Sequence, residues 1–194
     1  MKKTKILVVA VLAWWFAPPA MAQMQPGVYF GVSAGSGQNR DDCKGGSISG
    51  VFECDNKDTT WGVNLGYQFT PYFAAELGYG HIARTDILIF GQFKEWITAN
   101  AWEVVGVGSL PIERLSVYVK AGGYYAKSKF ATNFDAPEAT EKNFGWTAGA
   151  GVRYDLWQHW ALRAEYQRYN NVGGPDVGGT SDADVYRLSV LFKF

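Results

Sequence analysis

The sequence predicts an all-β fold in which eight antiparallel strands, each paired with the next along the chain, close into a barrel. Three observations carry this prediction. Apolar residues alternate with small or polar residues along eight segments, the connections alternate between short and long, and aromatic residues gather toward both ends of the segments. Because strand side chains point alternately to opposite faces, each segment has one apolar face and one polar face.

The eight segments follow one another along the chain, and alternation is clearest in the second, where Trp61, Val63 and Leu65 are each followed by Gly or Asn. In the fourth, Trp102-Glu103-Val104-Val105 breaks the alternation, which predicts a β-bulge there. The eight predicted strands are Gly27 to Ser36, Thr59 to Thr70, Phe73 to about Arg84, about Trp96 to Leu110, Leu115 to about Lys127, Asn143 to Asp155, Trp160 to Asn170 and Asp184 to Phe194.

The connections differ in length in a regular way. Three are short turns, around Pro71-Tyr72, residues 111–114 and residues 156–159. Four are long, at about residues 37–58, 82–95, 128–142 and 171–183. Short turns on one rim and long loops on the other are typical of bacterial outer-membrane barrels, with the turns in the periplasm and the loops outside. A soluble lipocalin-like barrel, the alternative, would place its apolar face inside.

Two groups of aromatic residues support the membrane interpretation, because aromatic side chains concentrate at the two membrane–water interfaces. Beyond residue 22, no stretch reaches the roughly 18 continuous apolar residues of a transmembrane helix. The sequence therefore predicts an eight-stranded antiparallel up-and-down transmembrane β-barrel. One group lies near the short turns (Phe69, Tyr72, Phe73, Trp157, Trp160, Phe192 and Phe194) and the other nearer the long loops (Trp61, Trp96, Tyr125, Phe144 and Trp146).

Residues 1–22 have the order of a secretory signal peptide. Three lysines precede an apolar run of 12 residues from Ile6 to Ala17, and Ala20-Met21-Ala22 follows as a cleavage site. The run is too short for the roughly 20 residues of a membrane anchor, the alternative interpretation. Residues 23–194 then form a single barrel domain. Without the leader lysines the chain is weakly acidic, which argues against nucleic acid as a partner.

Long charged side chains stand among glycines on the polar faces of the strands. An eight-stranded barrel encloses only enough space for side chains, and unpaired charges there would be costly. We therefore expect one layer of ion pairs in the periplasmic half that plugs the lumen. Its two acids need Glu103, Asp155, water or a ligand to balance its four bases. The expected members are Glu76, Lys120, Arg153, Arg163, Glu165 and Arg187.

Several short runs together resemble the OmpA-type outer-membrane β-barrel superfamily over the whole mature chain. They are Glu-Leu-Gly-Tyr at 76–79, Lys-Ala-Gly-Gly-Tyr at 120–124, Gly-Ala-Gly-Val-Arg at 149–153, Arg-Ala-Glu-Tyr-Gln at 163–167 and the terminal Phe194. The resemblance implies lumenal salt bridges at Glu76, Lys120, Glu165 and Arg153 or Arg187. Because the sequence stops at the barrel, we expect no peptidoglycan-binding domain and no anchoring to the cell wall.

The last predicted strand also resembles the recognition segment of such barrels, which implies the outer-membrane assembly machinery as a partner. This assembly segment consists of Tyr186, Leu188, Val190, Phe192 and Phe194.

Cys43 and Cys54 are the only cysteines and both lie in the first long loop. In an exported protein they predict a disulfide, which would stabilise the fold by roughly 2–3 kcal/mol on the chain-entropy model. Metal binding is disfavoured because no His lies nearby. His81 and His159 are expected at an interface and in a turn. Some small outer-membrane barrels modify lipid A with a His–Ser pair on a strand, but residues 165–169 contain neither residue.

The sequence thus predicts a non-enzymatic barrel of the cell outer membrane, without cofactor or metal, with a structural and surface role. Its four loops would be available for adhesion or other surface interactions. The expected partners are outer-membrane lipid and lipopolysaccharide, the assembly machinery and a possible extracellular ligand of the loops, with the barrel as a monomer. Two alternatives remain open: a small channel or conduit for ions or hydrophobic molecules, and a lipid A-modifying enzyme.

Overall fold

A computed structural model of the chain describes residues 26–39, 52–55, 57–89, 93–132, 139–174 and 179–194. The predicted signal peptide and Cys43 lie outside the described residues. The side chain of Cys54 is also outside the description, so the disulfide stays a prediction. Within the described part of the chain, no helix is long and apolar enough to cross a membrane.

The described residues form nine strands, and eight of them make a closed barrel. The barrel strands pair antiparallel in the order β4, β3, β1, β9, β8, β7, β6 and β5, and β5 pairs in turn with β4. This confirms the predicted fold class. The strands are β1 (Gly27–Asn39), β2 (Phe52–Asp55), β3 (Lys57–Thr70), β4 (Phe73–Ile89), β5 (Phe93–Ile112), β6 (Leu115–Thr132), β7 (Ala139–Asp155), β8 (Trp160–Gly174) and β9 (Gly179–Lys193).

The strands extend far into the segments that the sequence predicts as long loops. Only residues 90–92 separate β4 from β5, and the short β2 pairs with residues 86–89 above the end of β3. The reason is physical: beyond the membrane the outer face no longer meets lipid, so hydrophobic alternation ends while backbone pairing continues. Three hairpins therefore project from the long-loop rim, formed by β4–β5, β6–β7 and β8–β9.

The β-bulge predicted at Trp102-Glu103-Val104-Val105 is wrong. β5 pairs without a register shift along this stretch with both β4 and β6. Trp102 and Val104 face outward, whereas Val105 is 1% exposed and lies in the lumen. The alternation fails in the sequence because the lumen holds an apolar residue at this position. The register shifts at three other places, between Gln68 and Thr70 in β3, between His81 and Ala83 in β4, and between Tyr169 and Val172 in β8.

The outer face of the barrel is apolar and carries aromatic residues near both rims. Toward the long-loop rim, Tyr79 contacts Trp102 and Tyr125 contacts Phe144, both with ring centroids 4.7 Å apart. At the short-turn rim, Phe192 contacts Trp160 with centroids 5.0 Å apart. Large apolar side chains such as Leu188 stay about 71% exposed between these rows, which is the surface that a bilayer covers.

Candidate functional site

Inward-facing residues of the eight barrel strands bring their polar side chains together in the lumen. Because side chains alternate between the two faces of each strand, these polar side chains point into the lumen. Glycines on neighbouring strands leave space for them there. A Cβ on Gly66 would overlap the Tyr29 ring, and a Cβ on Gly151 would overlap Tyr118. The small residues therefore allow large polar side chains to cross the barrel interior.

The best-defined ion pair joins β8 to β4. Arg163 donates from Nη1 and Nη2 to the two carboxylate oxygens of Glu76, at 3.1 and 2.6 Å. Tyr29 donates its hydroxyl to Glu76 Oε1 at 2.6 Å. Both charged side chains are almost fully buried, so this bidentate geometry offsets the cost of removing them from water.

A second pair joins β6 to β8 beside the first. Lys120 Nζ lies 3.0 Å from Glu165 Oε1, and Tyr118 donates its hydroxyl to Glu165 at 2.9 Å. Arg163 also approaches Glu165, with 3.8 Å between the two groups. Lys120 lies 3.8 Å from Glu103, so three acids and two bases are already connected.

Arg187 joins this group through a tyrosine. Its Nη1 donates to the Tyr169 hydroxyl at 3.2 Å, and Tyr169 donates in turn to Glu103 at 2.6 Å. Among the described residues, no carboxylate lies within ion-pair distance of Arg187. With Arg187 included, the charges balance: Glu76, Glu103 and Glu165 face Lys120, Arg163 and Arg187. We call these six residues the lumenal charge cluster.

Arg153 does not belong to this cluster, because no described ion pair or hydrogen bond joins it to the six residues. It bonds Asp155 at 3.1 Å, and Lys193 lies 3.1 Å from the same carboxylate oxygen. Arg153 is directly opposite Arg163 in the sheet, and like charges in that arrangement repel. The two guanidinium groups bond different carboxylates, Asp155 for Arg153 and Glu76 for Arg163, and the Tyr29 ring lies 5.7 and 6.0 Å from them.

Buried apolar side chains form two groups, one on each side of the lumenal charge cluster, and Tyr29, Tyr118 and Tyr169 among them also bond its carboxylates. On the short-turn side the buried group is Tyr29, Ala74, Val105, Val107, Tyr118, Ala161 and Leu191. On the long-loop side it is Ile82, Ala99, Ala101, Tyr124, Ala126, Tyr169, Val172, Ala183 and Val185. The charges thus lie between two apolar layers, which we call the inner and outer apolar layers respectively.

A cavity of about 20 Å³ adjoins the lumenal charge cluster, which is room for a single water molecule. Three of the residues that line it carry N–H groups without a partner among the described residues: Asn64 Nδ2, Arg163 Nε and Arg187 Nε. All three groups are donors, so a water oxygen is a suitable acceptor there.

The tyrosine and glutamine partners of the charges were missed as site residues. Tyr29, Tyr118, Gln167 and Tyr169 each donate to a carboxylate of the cluster. Their inward positions follow from the strand alternation, and a buried tyrosine hydroxyl usually finds a partner. A survey of the polar face for hydroxyl and amide groups would therefore have found them.

The two histidines lie outside the lumenal charge cluster. His81 Nε2 is 2.7 Å from Asp58, and its Nδ1 is 3.3 Å from Asn100 Oδ1. His159 lies in the short turn between β7 and β8, and its Nδ1 is 2.9 Å from the Lys193 carbonyl oxygen. Within the described residues, no group of three or more His, Cys, Asp and Glu side chains could hold a metal ion.

Comparison with known proteins identifies the family. Residues 23–194 match the family model of the OmpA-like transmembrane domain. The chain therefore belongs to this family, and the protein is a β-barrel of the cell outer membrane.

The chain is similar in sequence to Outer membrane protein A of Yersinia pseudotuberculosis serotype I. The two are 28% identical over 206 residues, which cover 100% of this chain and 56% of that protein. The chain thus spans about half the length of the curated relatives it matches.

Solved structures share the fold. Neisserial surface protein A matches with a TM-score of 0.63 and 14% identity, over 87% of this chain and 97% of that one. The attachment invasion locus protein Ail of Yersinia pestis, solved in complex with the heparin analogue sucrose octasulfate, matches with a TM-score of 0.56 and 15% identity. That match covers 87% of this chain and 99% of that one.

Proposed function

We propose that this protein is a non-enzymatic structural barrel of the outer membrane whose lumen is closed by the lumenal charge cluster. The observation that supports this proposal most directly is the buried, bidentate Arg163–Glu76 pair beside the Lys120–Glu165 pair. Opening a pore here would separate these pairs in a confined space, which is costly.

The two apolar layers support the same proposal. An ion that crossed the barrel would have to pass the inner apolar layer, the charge cluster and the outer apolar layer in turn. Hydrophobic constrictions exclude water and so block ions even without a tight steric contact. Closure therefore rests on two physical barriers, one apolar and one ionic, which share Tyr29, Tyr118 and Tyr169.

Planar-bilayer recording of the purified full chain tests closure. We expect no stable conductance steps of pore size. The informative variant is Glu76→Ala/Arg163→Ala, which should raise the frequency of brief openings because it removes the ionic barrier. Its matched control is Arg168→Ala/Asp184→Ala, which removes an ion pair of 2.8 Å from the outer face. Stable steps from the unmodified chain would contradict the proposal.

We further propose that the outward hairpins give the protein a surface role. Support comes from the strand pairing, which continues well past the aromatic residues of the long-loop rim. Ail, which shares the fold, was solved with a heparin analogue. Binding of cells that express this chain to immobilised sulfated polysaccharide, compared with cells that lack it, tests an adhesive role. Equal binding by both would contradict it.

The proposal of no enzymatic activity is supported by the surroundings of His81. The described partners of its ring nitrogens are Asp58 and Asn100, and neither is a Ser, Thr or Cys that the imidazole could activate. Mass spectrometry of lipid A from expressing cells tests this point, and a change in acylation would contradict it.

A further inference from the structure

Three lysines lie together on the outer face of the barrel, just beyond an aromatic row. Lys127 and Lys129 are on β6 and Lys142 is on β7, and all three side chains are exposed. Lys127 and Lys142 directly follow, toward the outside, the paired rings of Tyr125 and Phe144. Two strand residues cover about 7 Å, so the lysines lie at the height of the lipid head groups.

The arrangement is electrostatically unfavourable for the protein alone. Lys127 is directly opposite Lys142 in the antiparallel pair, and like charges in such positions destabilise a sheet. Lys129 adds a third positive charge on the same face. Within the part of the chain that the structure describes, no carboxylate lies within ion-pair distance of these three ammonium groups.

The neighbouring β8–β9 hairpin shows how the same position is neutralised. There Tyr166 pairs with Tyr186, and the next outward pair is Arg168 with Asp184, joined at 2.8 Å. The two places share an aromatic pair followed by a charged pair on the outer face. One charged pair is internally balanced, and the other consists of two cations.

We propose that Lys127, Lys129 and Lys142 form a binding site for the phosphate groups of lipid A in the outer leaflet. Lysines bind phosphate as point charges, and basic groups at a membrane surface are attracted by anionic lipid. The site faces the bilayer at head-group height and not the lumen, so its ligand is a membrane lipid. We call these three residues the lysine site.

The site is independent of whether the barrel conducts. It depends on the outer face of β6 and β7, whereas closure depends on the lumenal charge cluster. A barrel that conducts can still bind lipid A phosphate here, and a closed barrel can lack such binding.

The test is native mass spectrometry of the folded full chain in detergent, titrated with lipid A carrying both phosphates. The test variant is Lys127→Gln/Lys129→Gln/Lys142→Gln. We expect roughly 100-fold weaker binding, since each lysine near an anionic surface contributes about fivefold. Replacing the same lysines by arginine should keep most of the affinity, because the charge remains.

Three comparisons make the result specific. Arg114→Gln, which removes one exposed charge at the periplasmic rim, should bind lipid A like the unmodified chain. Dephosphorylated lipid A should bind the unmodified chain and the glutamine variant equally. Heat unfolding in neutral detergent should give the glutamine variant at least the stability of the unmodified chain, since a repulsion is removed.

Two outcomes overturn the proposal. One is unchanged affinity of the glutamine variant for lipid A with both phosphates. The other is equally tight binding of inorganic phosphate, which would identify a site for free anions and not for lipid.

Discussion

At the scale of single residues, each buried charge of the lumen is stabilised by a few specific partners, so a substitution of one partner affects the others. Arg163 is about 5% exposed and uses two of its nitrogens on Glu76. Losing one partner of such a pair leaves the other charge buried alone, which is far more costly than losing both.

Glu76→Ala should therefore lower the free energy of unfolding by about 3–5 kcal/mol, because Arg163 then remains buried without its main acceptor. Urea unfolding in lipid vesicles, followed by tryptophan fluorescence, measures this. Glu76→Leu/Arg163→Met should recover much of the loss, since apolar residues of similar volume replace both charges. Equal losses in the single and double variants would contradict this reasoning.

The contribution of a lumenal tyrosine hydroxyl to stability can be measured by comparison with an outward-facing tyrosine of the same barrel. Tyr118→Phe removes the bond to Glu165 and should cost about 1.5–3 kcal/mol, the value for hydrogen bonds to charged groups. Tyr154→Phe is the control, because Tyr154 is an outward-facing tyrosine at the same rim, and it should change stability little. Both values come from the same urea titration, and a similar loss in both variants would argue against a special role of Tyr118.

At the scale of the strands, β5 and β6 extend well beyond the membrane. β5 has 20 residues and β6 has 18. Twenty residues extend for roughly 65 Å along the strand, and even at a tilt of about 45° they exceed the hydrocarbon core of about 30 Å. In the outer part of these two strands the backbone pairing continues as far as Glu95 and Thr132.

Amide hydrogen exchange in vesicles should reveal this extension. The amides of residues 98–101 and 126–129 are predicted to exchange slowly, because strand pairing continues through both stretches. The amides of the short turn at Glu113 and Arg114 serve as the exposed reference. Exchange of the two stretches at the reference rate would indicate a loop in place of the strands.

The strands and their faces could be predicted from the sequence within the membrane, because lipid on one side and a narrow lumen on the other impose strict alternation. Prediction failed where one of these constraints is absent. Beyond the membrane the alternation ends, so the outer parts of β4 and β5 were taken for a loop. Val105 was misread because the lumen accepts apolar as well as polar side chains. The exclusion of Arg153 from the lumenal charge cluster depends on the register between strands, which a single sequence does not contain.

At the scale of the whole molecule, the distance between the two aromatic groups sets the bilayer that suits the barrel. Apolar bands of such barrels are about 25 Å tall, and a mismatch of thickness costs a fraction of a kcal/mol per Å. The thermal midpoint should therefore be highest in vesicles of about that hydrocarbon thickness and lower in thinner and thicker ones. Calorimetry or circular dichroism across a series of acyl-chain lengths measures it, and a constant midpoint would contradict the assignment of the belts.

The Arg163–Glu76 pair also has a consequence for how the barrel forms. Its two residues are 87 positions apart in the sequence, and the Lys120–Glu165 pair spans 45. The Lys120–Glu165 pair bridges β6 and β8 across the single strand β7, so it can form in an open sheet. The Arg163–Glu76 pair joins β8 and β4, which are four strands apart in the eight-stranded barrel, so it forms only when the sheet closes. A partly inserted sheet would present bare charges to lipid, so half-formed states are penalised twice, by unpaired edges and by unpaired charges. The residues that close the finished barrel also make its insertion close to all-or-none.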